Sequence, residues 1–214
     1  MSLLIADAGP LFSLAAGDLL WVLERFSFAV TDVVKEESFD KGRLSSCSPE
    51  AERLLAFYNE HAPDIRVIPT QVGAQLAALR KLNARYTPPR NLGELSIQSY
   101  LIALRLEQPD ANPVVLFEDG WFTRNAASLP LGTLMSTQAF LLNLQKLRII
   151  SSAEAARAAI ALARPNASLL VYESDLRTEI LRAPKPAQTA SPSAQTPEAR
   201  PPAPARQKSG RPRR

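Results

Sequence analysis

The chain has 214 residues, of which 46% are hydrophobic, so it is long enough for one ordinary domain with a sizeable core. A single cysteine excludes a disulfide framework and favours a reducing, cytoplasmic compartment. The formal net charge is +4. No run approaches the roughly 18 apolar residues of a membrane-spanning helix, and the apolar opening lacks an early Lys or Arg, so we expect neither a transmembrane helix nor a secretory signal.

Short apolar runs that predict β-strands alternate with segments of helical spacing. The predicted strands are LLIA at 3–6, FSFAVT at 26–31, DIRVIPT at 64–70, PVVLFED at 113–119 and LGTLMST at 131–137. The predicted helices cover 11–23, the segment from Asp32, 49–62, 71–86, 92–107, 137–147, 152–163 and 167–182. Strands separated by helices pair in parallel through right-handed crossovers. The sequence therefore predicts a three-layer α/β/α fold with a parallel central sheet of about five strands.

The C-terminal residues differ in composition from the rest of the chain. Residues 183–214 hold eight of the 18 prolines and seven Lys or Arg against one Glu, a net charge of +6. Because this segment has almost no large apolar side chains, it cannot offset the entropy of ordering. We predict a disordered, Pro-rich basic tail at 183–214, preceded by C-terminal helices at 151–182 that pack on a domain at 1–150. The basic end could bind a polyanion or serve only solubility.

Four acidic residues lie where a predicted strand ends or a helix begins: Asp7, Glu37, Glu94 and Asp119. In a parallel α/β sheet, the carboxyl ends of strands and the starts of the following helices converge on one crevice. Carboxylates brought together there repel one another unless a divalent cation lies among them. The pattern predicts a phosphodiester-cleaving site with one or two Mg²⁺ or Mn²⁺ ions. Each acid also has a structural alternative, as a turn former, a solvated helix residue, a capping-box partner or a helix cap.

Two of these acids have an acidic neighbour that competes for the same role. Glu36 precedes Glu37, and Glu118 precedes Asp119. Adjacent side chains at the end of a strand point to opposite faces, so only one of each pair should reach the crevice. We favour Glu37 and Asp119, with Glu36 and Glu118 as second choices.

In chain order, five segments resemble the motifs of the PIN-domain family of ribonucleases, which includes the VapC-type toxins of bacterial toxin–antitoxin pairs. They are DAGPLFSLAAGDLL from Asp7, TDVVKEES with its Val-x-x-Glu ending at Glu37, NLGELSIQSYLIAL with its Gly-Glu pair, VVLFEDGWFTRNAA, and LGTLMSTQAFLLNLQKLRII. The resemblance covers about residues 3–150 and identifies the domain at 1–150 as PIN-like.

This resemblance implies a Mg²⁺- or Mn²⁺-dependent endoribonuclease, a hydrolase acting on phosphodiester bonds. It implies that Asp7, Glu37, Glu94 and Asp119 are the metal ligands and catalytic residues. RNA is then the substrate, and the chain is the toxin of a type II toxin–antitoxin pair with a cognate antitoxin protein. The alternative is a non-catalytic PIN-fold module that binds RNA or protein.

Three further residues near the predicted crevice could contact substrate. Arg124 lies about one helical turn beyond Asp119, and Arg90 lies just before the helix of Glu94, so either could bind a phosphate. A surface salt bridge is the competing interpretation. Trp121 could stack on a base or serve as a core anchor. A homodimer is compatible with the apolar helices around 71–105.

Overall fold

The structure, a computed structural model, describes residues 3–40, 48–130 and 132–167. The strands are β1 Leu3–Ala6, β2 Ser27–Thr31, β3 Arg66–Ile68, β4 Val114–Phe117 and β5 Thr133–Ser136. The α-helices are α1 Ala8–Ala16, α2 Asp32–Phe39, α3 Pro49–His61, α4 Gln71–Leu82, α5 Leu92–Glu107, α6 Gly120–Arg124, α7 Thr137–Lys146 and α8 Ala153–Ala163. Short 3-10 helices lie at Leu20–Arg25 and Ala126–Ser128.

The five strands form one all-parallel sheet in the order β3-β2-β1-β4-β5. Its central strands are buried on both faces, and Ile5, Ala29 and Val115 have no exposed surface, as is typical of a parallel sheet covered by helices. α5 packs on β2 and α4, whereas α1 packs on β4, α3 and α8, and α7 packs on β4, β5 and α8. The predicted three-layer α/β/α fold is confirmed.

The strand order reverses direction beside β1, which places the carboxyl ends of β1 and β4 next to each other. β2 and β3 lie on one side of β1, and β4 and β5 lie on the other. The ladder between β1 and β4 continues one residue past β1, because the backbone N–H of Asp7 donates to the carbonyl of Leu116 at 3.0 Å. In open α/β sheets, ligands bind outside the carboxyl ends of the strands at such a reversal.

Some element boundaries differ from the predicted ones. The first helix covers Ala8–Ala16 rather than 11–23, because the chain turns at Gly17 and at Asp18, whose φ is 56°, before the 3-10 helix. The fourth helix ends at Leu82 rather than 86. The predicted helix at 167–182 and the predicted tail at 183–214 lie outside the described residues. Among the residues that the structure describes, no helix has the length and apolar character needed to cross a membrane.

Candidate active site

Asp7 lies at the point where β1 passes into α1. It occupies the N-cap position of α1 in an extended conformation, but its side chain makes no capping hydrogen bond. The residue is only 6% exposed. Asp7 is therefore buried at the start of α1 without the side-chain hydrogen bond of an N-cap.

Glu94 lies in the first turn of α5 and is 8% exposed. Asn91 occupies the N-cap position of α5 in the left-handed region, with φ 63°, and its side chain makes no capping hydrogen bond. The structural alternative for Glu94, a capping box with Asn91, therefore lacks the hydrogen bond that Asn91 would supply.

A buried hydroxyl pair ties the start of α5 to the end of β2. Ser96 Oγ donates to the carbonyl of Gly93 at 2.6 Å and lies 2.6 Å from Thr31 Oγ1. Thr31 ends β2 and caps α2 by accepting a hydrogen bond from the N–H of Val34 at 3.3 Å. Both hydroxyl residues are fully buried. This network fixes the Gly-Glu turn against the strand that leads to Glu37.

Gly93 shows how closely the acidic side chains approach this turn. A Cβ atom built at Gly93 would lie 2.9 Å from Oε2 of Glu37 and 3.2 Å from Oδ1 of Asp7. Both carboxylates therefore face the same backbone position, next to Glu94. Glu36 lies elsewhere, since its Oε2 accepts a hydrogen bond from Nη1 of Arg80 at 2.6 Å.

Asp7 lies close enough to the other three acids for their charges to act on its carboxyl group. Burial raises the pKa of Asp7 well above its usual range, and the carboxylates of Glu94, Glu37 and Asp119 raise it further, against a hydrogen bond from the backbone of Ala8. Burial also raises the pKa of Glu94, and the carboxylate of Asp119 contributes to that rise. No lysine or arginine is among the groups that shift the pKa of Asp7 in the described chain.

Asp119 and Glu118 have different surroundings. Asp119 caps α6 by accepting a hydrogen bond from the N–H of Trp121 at 2.5 Å, and its side chain is 52% exposed. Asp119 is therefore a helix cap, as the structural alternative predicted. Its charge also raises the pKa of Asp7. Burial raises the pKa of Glu118, against the hydroxyls of Ser13 and Thr137 and the guanidinium of Arg164.

The three predicted substrate contacts lie at the surface or beside the core. Arg124 is exposed, with Nη2 3.9 Å from Oδ1 of Asp119. Arg90 is exposed just before α5. Trp121 is half-buried and packs edge-on against Phe122, with ring centroids 5.2 Å apart, so its contact in the structure is with the core.

The donor set fits a hard divalent cation in its chemistry, because every candidate ligand is a carboxylate oxygen. Gly93 leaves the space between the carboxylates of Asp7 and Glu37 open. Within residues 3–40, 48–130 and 132–167, however, no three carboxylate, His or Cys side chains converge as closely as a preassembled metal site requires. Ligation of one ion by three of these acids therefore needs side-chain rotation, which is easiest for the exposed Glu37 and Asp119.

The sequence interpretation missed the residues that hold the acids in place. Ser96 and Thr31 join α5 to β2, and Arg164 joins the end of α8 to the first turns of α1. Thr31 directly before a helical segment is a recognisable N-cap signal. Arg164 carries no such signal, because its contact Gly9 is 155 residues away in the sequence.

No protein-family model, no curated protein and no solved structure matches this chain.

Proposed function

We propose that this chain is a Mg²⁺- or Mn²⁺-dependent endoribonuclease of the PIN type. One observation carries the proposal: the carboxylates of Asp7 and Glu37 both face Gly93, beside the buried Glu94, at the reversal point of a parallel sheet. A cluster of buried like charges costs free energy unless a cation compensates it. The order of the motifs along the chain, which resembles that of PIN-domain ribonucleases, supports the same function.

The residues have distinct roles under this proposal. Asp7 and Glu94, which are both buried, form the fixed part of the ligand set. Glu37 and Asp119, which are exposed, complete it by rotation. A bound Mg²⁺ or Mn²⁺ ion supplies a water of lowered pKa and neutralises charge that develops on the phosphate. Arg124 lies beside Asp119 at the surface, where its guanidinium can bind a substrate phosphate.

The specific form that we propose is the toxin of a bacterial type II toxin–antitoxin pair. Its support is the sequence resemblance together with exposed apolar side chains on two helices that pack against each other. Leu95, Ile102 and Leu106 on α5 and Leu79 and Leu82 on α4 are exposed. Such a patch fits a protein partner, either an antitoxin or a second copy of this chain. A neighbouring small reading frame that encodes a DNA-binding domain and a flexible tail would support the toxin assignment.

A non-catalytic PIN-fold module that binds RNA or protein is the second candidate. Two observations favour it: no three of the acids converge closely within the described residues, and Asp119 already caps a helix and lies near Arg124. Such a module would bind its partner equally well with and without divalent cations.

The deciding experiment is cleavage of a labelled single-stranded RNA by the full chain. We expect cleavage with Mg²⁺ or Mn²⁺, none with excess EDTA, and none with Asp7→Asn. Asp110→Asn is the matched control, because Asp110 is exposed and lies before β4, away from the carboxyl ends of the strands. Cleavage that persists in EDTA or in Asp7→Asn would overturn the nuclease assignment. RNA binding without any cleavage would favour the binding module.

A further inference from the structure

Arg164 joins the two chain segments that carry Asp7 and Asp119. It follows α8 directly, and its side chain is 26% exposed. Its Nη1 donates to Ser13 Oγ at 2.6 Å and to the carbonyl of Gly9 at 3.2 Å. The same nitrogen lies 3.6 Å from Oε2 of Glu118. One guanidinium therefore contacts the first helix after β1 and the carboxylate at the end of β4.

The two segments also touch each other beneath this guanidinium. A Cβ atom built at Gly9 would lie 3.2 Å from Cβ and 3.3 Å from Oε2 of Glu118. Ser13 has no exposed surface, and the side chain of Glu118 is 8% exposed. A buried carboxylate is stable in one position only when a cation or donors hold it there. Arg164 supplies the positive charge and Ser13 a hydroxyl.

The consequence for the candidate active site follows from sequence adjacency. Gly9 lies two residues after Asp7, and Glu118 immediately precedes Asp119. Any shift of Gly9 or Glu118 therefore moves a backbone that carries one of the four crevice carboxylates. Misplacement of a ligand by a fraction of an ångström weakens metal binding, which is why residues that orient ligands affect metal affinity strongly.

We propose that Arg164 is a positioning residue of the active site, which aligns Asp7 and Asp119 for a divalent cation by clamping Gly9, Ser13 and Glu118. This inference rests on the proposed metal-dependent function. It extends the active unit beyond residues 1–150, because α8 packs on α1 and α7 and places Arg164 against Gly9, Ser13 and Glu118.

The test is the affinity of the full chain for Mn²⁺, measured as free Mn²⁺ by electron paramagnetic resonance, which does not depend on RNA cleavage. We expect Arg164→Ala to weaken Mn²⁺ binding about 10-fold or more. Arg164→Lys should recover part of the lost affinity, because lysine restores the positive charge but not the planar guanidinium with its several N–H donors. Arg157→Ala, which removes an exposed arginine from the same helix, should bind Mn²⁺ like the wild type.

The outcomes separate this inference from the proposed function. A wild-type chain that binds no Mn²⁺ overturns the proposed function, and the role of Arg164 falls with it. Wild-type affinity in Arg164→Ala overturns the role of Arg164 alone. If Arg164→Ala does not fold, the Mn²⁺ affinities of Arg164→Lys and Ser13→Ala test the inference instead, since each of these variants keeps most of the local packing. Unchanged Mn²⁺ affinity in both would overturn the inference, and about a 3-fold loss or more in either would support it.

Discussion

Two carboxylates are buried at the ends of adjacent central strands, and their surroundings are opposite in charge. Asp7 follows β1 and Glu118 follows β4, and each is 6% exposed. Burial raises the pKa of both. The guanidinium of Arg164 lies 3.6 Å from Oε2 of Glu118 and lowers its pKa, whereas the side chains that act on Asp7 are three further carboxylates.

We interpret this difference as one between a carboxylate that the fold itself balances with a cation and one that lacks a balancing side chain. Glu118 has a cation from the same protein, because Nη1 of Arg164 lies 3.6 Å from its Oε2, whereas its Oε1 is buried without a hydrogen-bond partner among the described residues. Asp7 has burial without a compensating side chain among the described residues, and such costly arrangements concentrate at functional sites. The comparison leads us to expect that Asp7 takes its compensating charge from a ligand and Glu118 from Arg164.

The largest expected effect is on RNA cleavage when one of the proposed metal ligands loses its charge. Asp7→Asn, Glu94→Gln and Asp119→Asn should each reduce kcat/KM at least about 100-fold, because a ligand that both orients an ion and balances its charge is lost. Arg124→Ala should reduce it only several-fold, since Arg124 is exposed. Nearly full activity in Asp7→Asn, measured over a range of Mg²⁺ concentrations, would show that Asp7 is not a metal ligand and that it does not differ from Glu118 in function.

The next effect concerns the stability of the metal-free chain and its pH dependence. An unfolded aspartate has a pKa of about 3.9, and the folded pKa of Asp7 is higher, so the folded state binds the proton more tightly. Wild-type stability is therefore lost as the pH rises from about 4 through the folded pKa of Asp7. Asp7→Asn should be more stable than the wild type above this window, with the difference vanishing near pH 3.

Arg164→Ala should change stability in the opposite direction. It removes two hydrogen bonds and leaves Ser13 without its donor in the core, which should lower the free energy of unfolding by about 1–3 kcal/mol. Chemical denaturation of both variants and the wild type at pH 7 measures the contrast. Destabilisation by Asp7→Asn at that pH would mean that Asp7 is as well compensated as Glu118.

Glu36 and Glu37 offer a smaller version of the same comparison on one helix. Glu36 pairs with Arg80, and Glu37 faces Gly93 beside Asp7. Glu37→Gln should therefore weaken Mn²⁺ affinity about 10-fold. Glu36→Gln should leave Mn²⁺ affinity unchanged and lower the free energy of unfolding by at most about 1 kcal/mol, the usual contribution of a partly exposed ion pair. Equal Mn²⁺ affinities for the two variants would show that Glu37 is not a ligand.

The smallest effect concerns the basic segment at 183–214. Its net charge of +6 should add RNA affinity by counterion release. Deleting it should weaken RNA binding at low salt and flatten the salt dependence, while metal-dependent cleavage at saturating RNA persists. Complete loss of cleavage at saturating RNA would show that the catalytic unit extends past residue 182.

The fold class was predictable because alternating apolar runs and helical segments leave few topologies open. Asp7 and Asp119 follow strands and Glu94 lies in the first turn of a helix, as predicted, but Glu37 is the sixth residue of α2 rather than at a helix start. The sequence analysis favoured Glu37 over Glu36 but could not supply the reason, which is that Glu36 pairs with Arg80, 44 residues away. The turn at Asp18 was missed because its positive φ is a local conformation that apolar spacing does not report.

The central claim is that Asp7 belongs to a divalent-cation site, and thermal unfolding with and without Mn²⁺ tests it most directly. A ligand that binds only the native state at 100 times its Kd stabilises it by about 2.7 kcal/mol. We predict that millimolar Mn²⁺ raises the Tm of the wild type and of Asp110→Asn. Asp7→Asn should show no rise, from a metal-free Tm that equals or exceeds that of the wild type at pH 7. The same Mn²⁺ response in the wild type and Asp7→Asn would contradict the account.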